Sequence, residues 1–406
     1  MTSPIAVSPN SRGIHGVPFG IVAATLIVLF GGVGEIAAQD AISLENESAQ
    51  PVIARDPEGF WTPTRLQGAQ ALELPLPANS PQNIEDLEIT LESLTESVED
   101  VEEQQSEFRD GASPIGEFEV APDLVDMLYQ PAATASEMVA AESGVVPFDE
   151  GTKRAPFTSA RIHRADDRLF YPYRTAGKLF FRTRGGRDSW CSAAVLRPRI
   201  ILTAGHCVHQ GSGGANGWFS RWVFVPGYHN GQAPFQAWNW RWVITTGSWA
   251  NSNGSVPNRA DFAIIELEDR KFGTQFRKVG EVTGYLGYHT NVLSRNHVKI
   301  IGFPGNHDRG EIMHHVNTGS FRSGGSNTIL YGSDMRGGSS GGPWIMNFGN
   351  PAQGQTGGLR PWRNRVVGVT SYGYIATGPK VQGSSILNQE FLDILNRACN
   401  HRAGNC

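Results

Sequence analysis

The chain has 406 residues, with 48 Gly, 24 Pro and four Cys, and a formal net charge of -5. That much Gly and Pro argues against a mostly helical protein, and four cysteines are too few for a disulfide-dense scaffold. An apolar fraction of 39%, with 20 Phe, 10 Trp and 9 Tyr, can fill a sizeable core and excludes a wholly disordered chain. The mild charge is a sum over unlike regions. Residues 1–38 are neutral, residues 39–150 carry net -22, and residues 151–406 carry net +17.

At the start, Arg12 precedes an apolar run from Val17 to Val33, and small residues follow to Ala37 and Ala38. Residues 1–38 read as a secretory signal peptide cleaved near Ala38. The alternative is an uncleaved anchor, because the run is marginally long enough to span a bilayer. No later stretch is both apolar and long enough to span. The expected location is therefore secreted, extracellular or periplasmic, with no stable membrane insertion once the signal is cut.

Residues 39–154 are rich in Pro, Ser, Glu and Ala and show no sustained core pattern. Leu87, Leu91, Leu94 and Val98 are spaced by three or four, as on one face of an amphipathic helix. The segment reads as an acidic propeptide, largely disordered or helical, that pairs electrostatically with the basic region behind it. A disordered acidic linker is the bland alternative. Its end falls between residues 151 and 164, where Lys153-Arg154 is a dibasic pair and Arg161 and Arg164 follow.

From about Leu169 the texture changes. Short apolar runs such as KLFFR, AAVLRPRIILTA, WVFVPGY, FAIIEL, HVKIIGFPG and NRVVGVTSYGY are separated by Gly, Pro and Asn clusters. That pattern predicts an all-β domain of many short strands. Its length suits a pair of closed sheets better than one small barrel. Only Leu387 to Ala398 predicts a helix, with Phe391, Ile394 and Leu395 on one face. The His314-His315 pair has no metal-site spacing and reads as surface or strand. No metal and no cofactor is expected.

Three local segments carry chemistry. LTAGHCV sets His206 just after a strand, RADFAIIEL sets Asp261 at a strand start, and MRGGSSGGPW sets Ser340 in a glycine-dense turn. A serine hydroxyl is a poor nucleophile alone. An imidazole can take its proton, and a buried carboxylate can hold the imidazole in the right tautomer. The N–H groups of Gly338 and Ser340 are candidates for an oxyanion hole. The doubled glycine after Ser340 favours it over Ser339 as the nucleophile.

With these flanks, residues 155–398 resemble the chymotrypsin-like serine proteases, nearest to the secreted bacterial glutamyl-endopeptidase-like group. The segments YPYRTAGKLFF, WCSAAVLRPRIILTAGHCV, DFAIIEL, GGSSGGPW and RVVGVTSYGY carry the resemblance. It implies an all-β fold of two packed antiparallel six-stranded barrels with a C-terminal helix, and a secreted serine endopeptidase acting through an acyl-enzyme, with residues 155–406 as the protease domain. His206 would be the general base, Asp261 would orient it, and Ser340 would be the nucleophile. The resemblance also implies a Cys191–Cys207 disulfide, which leaves Cys399 to pair with Cys406. Substrates would be proteins or peptides, laid as an added strand beside Thr370, Ser371, Tyr372 and Gly373.

The residue six before the nucleophile, Asp334, would line the base of the primary pocket. A carboxylate there is expected to favour Arg or Lys. Glutamate-selective relatives place a histidine where this chain has Thr370, which argues against simple glutamate specificity. Ser339 replaces the aspartate that many zymogens use to bind a new N-terminal amine, so activation would act through removal of the acidic segment. Other classes fit less well. A binding protein on a dead protease fold does not need a full triad. A lipase would carry Ser before Asp and His. The basic residues are scattered without a nucleic-acid motif, so no nucleic-acid partner is expected, and the chain reads as a monomer.

Overall fold

The structure is a computed structural model that describes residues 41–46, 59–77, 106–115, 126–129, 155–162, 166–352, 360–373 and 380–406. The signal segment, the Leu87–Val98 periodicity and the Lys153-Arg154 pair lie outside the described residues.

Strands dominate, as the turn-punctuated apolar runs predict. In the first barrel Ala176–Arg182, Asp188–Arg197, Ile200–Thr203, Ala263–Leu267, Trp238–Thr245 and Ser220–Pro226 pair in that order, and the last returns onto the first. Every one of these pairings is antiparallel. Closure leaves these strands no free edge within the ring. Leu179, Val195, Ile201, Phe224, Trp238 and Val243 are all fully or almost fully buried in its core.

The second barrel follows the order Val381–Ser385, Thr328–Gly332, His314–Gly325, His297–Gly302, Pro343–Met346 and Arg365–Val369. The chain beyond Val369 comes back to the first of these: Ser371 N donates to Gly383 O at 2.9 Å, and Tyr372 pairs with Gly383. Leu293, Ile300, Val316, Tyr331, Trp344 and Val367 form its core. The two-barrel, all-β class read from the sequence is the observed one.

The helix expected from Leu387 runs Gln389–His401, capped by Asn388, whose side chain accepts from Phe391 N. Phe391, Ile394, Leu395 and Ala398 face inward. Phe391 meets Phe262 and Tyr288 edge-on at 6.0 and 5.3 Å. Each large apolar side chain buried in this way contributes about 1.5–3 kcal/mol.

Two barrel strands follow no apolar run in the sequence, although the reading of the His314-His315 pair as surface or strand fits the first. His314–Gly325, the longest at 12 residues, is rich in Gly, Ser and Asn, and the His314-His315 pair opens it. Val381–Ser385 has one branched apolar residue, yet Gln382, Ser384 and Ser385 are fully buried because each has hydrogen-bond partners.

Pieces of the acidic region lie on this frame. Ile42–Glu45 adds antiparallel to Trp238–Thr245. Phe108–Arg109 pairs with Gly287–His289, and Asp126–Met127 with Gln232–Ala233. Arg365 is fully buried, its guanidinium 4.3 and 4.2 Å from the centroids of the Phe108 and Trp362 rings, which stack on each other at 4.6 Å. Its Nη2 donates to Asp110 at 2.6 Å.

Tyr129 enters a buried cluster with Tyr228, Glu311 and Lys178. Its hydroxyl donates to Glu311 Oε1 at 2.6 Å, and Lys178 Nζ lies 3.1 Å from the same oxygen. Burial pushes the Lys178 ammonium down to about 8, against the pull of Glu311. Among the described residues these contacts are backbone ladders and aromatic plugs more than charge pairs. Arg65 even reverses the expected polarity by pairing with Asp188 at 3.0 Å.

Two disulfides close short loops: Cys191–Cys207, 16 residues apart, and Cys399–Cys406, seven apart. Replacing Cys191 and Cys207 together by Ser is expected to cost about 3 kcal/mol by the loop-entropy relation. Urea denaturation of the two proteins under oxidising conditions measures it.

Candidate active site

His206 sits in a short 3-10 turn, Gly205–Cys207, that follows the strand Ile200–Thr203. Asp261 precedes the strand Ala263–Leu267, which pairs with that same strand through Ala263 and Thr203. The ladder therefore delivers both residues to one end of the first barrel. His206 Nδ1 lies 2.7 Å from Asp261 Oδ2, and His206 N donates to Oδ1 at 2.9 Å. Asp261 is fully buried and His206 is 5% exposed.

The turn tolerates no side chain at Gly205: a Cβ there would lie 2.6 Å from Trp249 and 2.9 Å from Asp261 Oδ1. Trp249 packs edge-on against the His206 ring at 5.9 Å, its own Nε1 donating to His209 O.

Ser340 lies in the glycine turn before Pro343–Met346. Gly338 and Gly341 hold φ of +88° and +74°, values that favour glycine. The turn seats against the first barrel: Ser192 N donates to Ser340 O at 2.7 Å, and a Cβ on Gly341 would strike Thr203 Oγ1. Ser340 Oγ and His206 Nε2 are both buried and without a hydrogen-bond partner. Neither group is engaged by the rest of the fold, so both remain free for acid–base chemistry.

The segment Thr370–Gly373 contributes less side chain to a pocket than its sequence suggests. Ser371 Oγ donates to Asp261 Oδ2 at 2.6 Å, Thr370 Oγ1 accepts from Trp344 Nε1, and the Tyr372 hydroxyl meets Thr328 Oγ1. The Gly373 amide donates to Pro75 O at 3.5 Å. Gly338 N, one of the two expected oxyanion donors, gives its proton to Leu72 O at 2.9 Å.

Asp334 is in the loop before the nucleophile, and His307 Nε2 stands 3.0 Å from its Oδ2. Burial pushes that carboxyl up, but the hydrogen bond and charge of His307 outweigh it and hold Asp334 below the usual carboxylate range.

Sequence reading missed Gln382, which is fully buried. Its Nε2 donates to Met335 O and Ser339 Oγ at 2.8 and 2.9 Å, and its Oε1 accepts from Ser333 Oγ. Neutral hydrogen bonds thus brace the loop where an ion pair to an aspartate is ruled out by Ser339. Ser385 was missed as well; its Oγ accepts from Asp261 N at 3.2 Å. Among the described residues one trio, Cys191, His206 and Cys207, brings possible metal-ligand atoms within 4.8 Å of one another. The two cysteines are joined to each other and offer no thiolate.

A family model described as Trypsin matches residues 171–395, more than half of the chain. The chain belongs to the trypsin family of serine proteases. A glutamyl endopeptidase from Bacillus licheniformis is 27% identical over 200 residues, which cover 47% of this chain and 56% of the relative. An extracellular metalloprotease from Bacillus subtilis is 23% identical over 215 residues, covering 52% and 60%. The chain thus spans a little over half the length of these curated relatives. A solved structure of a thermostable serine protease, AL20, from an extremophilic microorganism is 26% identical. It covers 59% of this chain and 100% of that one, with a TM-score of 0.48.

Within this trypsin-family site Ser371 links the second barrel to Asp261. A hydrogen bond to a charged group contributes about 1.5–3 kcal/mol. Ser371→Ala is expected to lower kcat roughly 10- to 100-fold on a peptide substrate with KM little changed. Steady-state kinetics on both proteins checks this.

Proposed function

We propose that the chain is a secreted serine endopeptidase made as a precursor with an acidic propeptide. The observation that carries this reading is the buried Asp261–His206 pair, held at 2.7 Å beside the turn that bears Ser340. Ser340 Oγ attacks the substrate carbonyl carbon while His206 Nε2 takes its proton, and the Gly338 and Ser340 N–H groups receive the oxyanion. Collapse returns that proton to the leaving amine and leaves an acyl ester on Ser340. Water then adds with His206 as base and releases the acid.

The proposed boundaries are a signal at 1–38, a propeptide at 39–154 and a protease domain at 155–406. Phe157–Arg161 pairs along its whole length with His314–Gly325, and Ile162 N donates to Met313 O. A cut after Arg154 keeps this strand, whereas a cut after Arg161 or Arg164 discards it. That favours the earlier bond. Export accords with two disulfides, and among the described residues no helix is long and apolar enough to cross a membrane.

Asp334 underlies the proposed preference for Arg or Lys at the primary position. His307 competes for the same carboxylate, which keeps glutamyl or broad specificity as the second reading. Two measurements test the proposal. A serine-reactive phosphonate should label Ser340, and absence of labelling at that residue would support an inactive, binding protein instead. Peptide-library profiling of the purified 39–406 protein, with N-terminal sequencing, should show cleavage after Arg or Lys and an N-terminus at Ala155. Asp334→Asn should then lower kcat/KM on Arg substrates about 10- to 100-fold, the worth of one charge-assisted contact; strict cleavage after Glu would overturn the Asp334 assignment.

A further inference from the structure

The short stretch from Gln70 to Pro75 crosses the site. Gln70–Ala71 pairs parallel with Ser189–Trp190, and Leu72 N donates to Trp190 O at 3.0 Å. The next group along, Leu72 O, accepts the Gly338 proton at 2.9 Å. Leu74 is 3% exposed, its Cδ1 lying 2.8 Å from where a Cβ on Gly373 would stand, and Pro75 O faces the Gly373 amide. Gly305 and Gly337 leave matching room: added Cβ atoms would come within 2.8 Å of Ala71 Cβ and 2.9 Å of Leu72 O. The stretch therefore touches Trp190 on one side, a proposed oxyanion donor in the middle and the proposed substrate-strand segment on the other.

Its direction matters. The acyl half of a substrate, whose side chain enters the primary pocket, is expected beside Thr370–Gly373. Here the residues beside Gly373 are Leu74 and Pro75, on the C-terminal side of the carbonyl that Gly338 holds. The backbone thus runs from the Trp190 side towards Gly373, opposite to the expected course of a substrate.

We infer that Gln70–Pro75 is an intramolecular occupant of the substrate cleft, laid in reverse so that it blocks the cleft without being cut. This rests on the catalytic reading of Ser340 and His206 and adds to it the identity of the resident ligand. An extended backbone with an apolar side chain at Leu74 satisfies the cleft's exposed amides, as added strands do elsewhere. A reversed strand offers those same hydrogen bonds but sets its amide nitrogen on the side where a substrate carries its acyl chain, so proton delivery from His206 does not meet a leaving group.

The test uses the full chain and two variants: Leu72→Pro, which removes the donor to Trp190, and Leu74→Glu, which charges a buried position. Thermal melting establishes that each variant folds. Hydrogen exchange is read on Ser340→Ala versions, where no turnover intervenes. The Gly338 amide should be protected in the parent and exchange at least tenfold faster in the variants. Phosphonate labelling is read on versions that keep Ser340, and its rate should rise at least tenfold in the variants. An unprotected Gly338 amide in the parent, measurable but equal labelling of parent and variants, or a self-made cut between Ala71 and Leu74 would each overturn the inference. Faster exchange in the variants with no labelling of any protein would support the seat of the strap and overturn the catalytic reading.

Discussion

The carboxylate of Asp261 is the interaction on which the rest of the site depends. It is fully buried, and an unpaired charge there would be prohibitively unfavourable. Two of its hydrogen bonds come from His206 in the first barrel and one from Ser371 in the second, while its own N–H reaches Ser385 in the second. The charge is therefore satisfied only when both barrels have docked. Assembly of the site and packing of the barrels become one event, because a gap between them would strand a carboxylate. The same geometry fixes the imidazole, with Nδ1 facing the acid and Nε2 left without a hydrogen-bond partner.

The region upstream of the barrels is bound by shape more than by opposite net charge. Backbone ladders at Ile42–Glu45, Gln70–Ala71 and Phe108–Arg109 add to existing strands, and the buried Trp61 and Tyr129 supply aromatic anchors. Long-range attraction between a -22 region and a +17 region speeds encounter, and salt weakens it. Ladders and buried rings are far less sensitive to salt. Charge brings such segments close; these local contacts decide where they rest.

Much of the fold is legible in the sequence because apolar runs between turn residues report strands directly, as KLFFR and FAIIEL do. The segments holding His206, Asp261 and Ser340 are legible because their flanking residues are forced by local geometry: Gly205 by Trp249, Gly341 by Thr203. Val381–Ser385 is not legible, since its polar side chains are buried by partners distant in sequence. The same reason hides Gln382 and Ser385, whose partners Met335, Ser339 and Asp261 are 43 or more residues away. The proposed primary pocket is only half legible: Asp334 is picked out by its distance from Ser340 in the sequence, but its pairing with His307 depends on a loop whose course no local pattern specifies.

The strap across the cleft is part of the same covalent chain as the barrels, and that changes what relieves it. A separate inhibitor dissociates when it is diluted. A tethered one keeps a constant local concentration, commonly in the millimolar range for short linkers, however far each molecule drifts from the next. Spreading into a large volume after export would not awaken such a protein. Only an event on the individual chain would do so, and a severed peptide bond does not heal. The onset of activity would then act as a one-way clock, started molecule by molecule and indifferent to abundance.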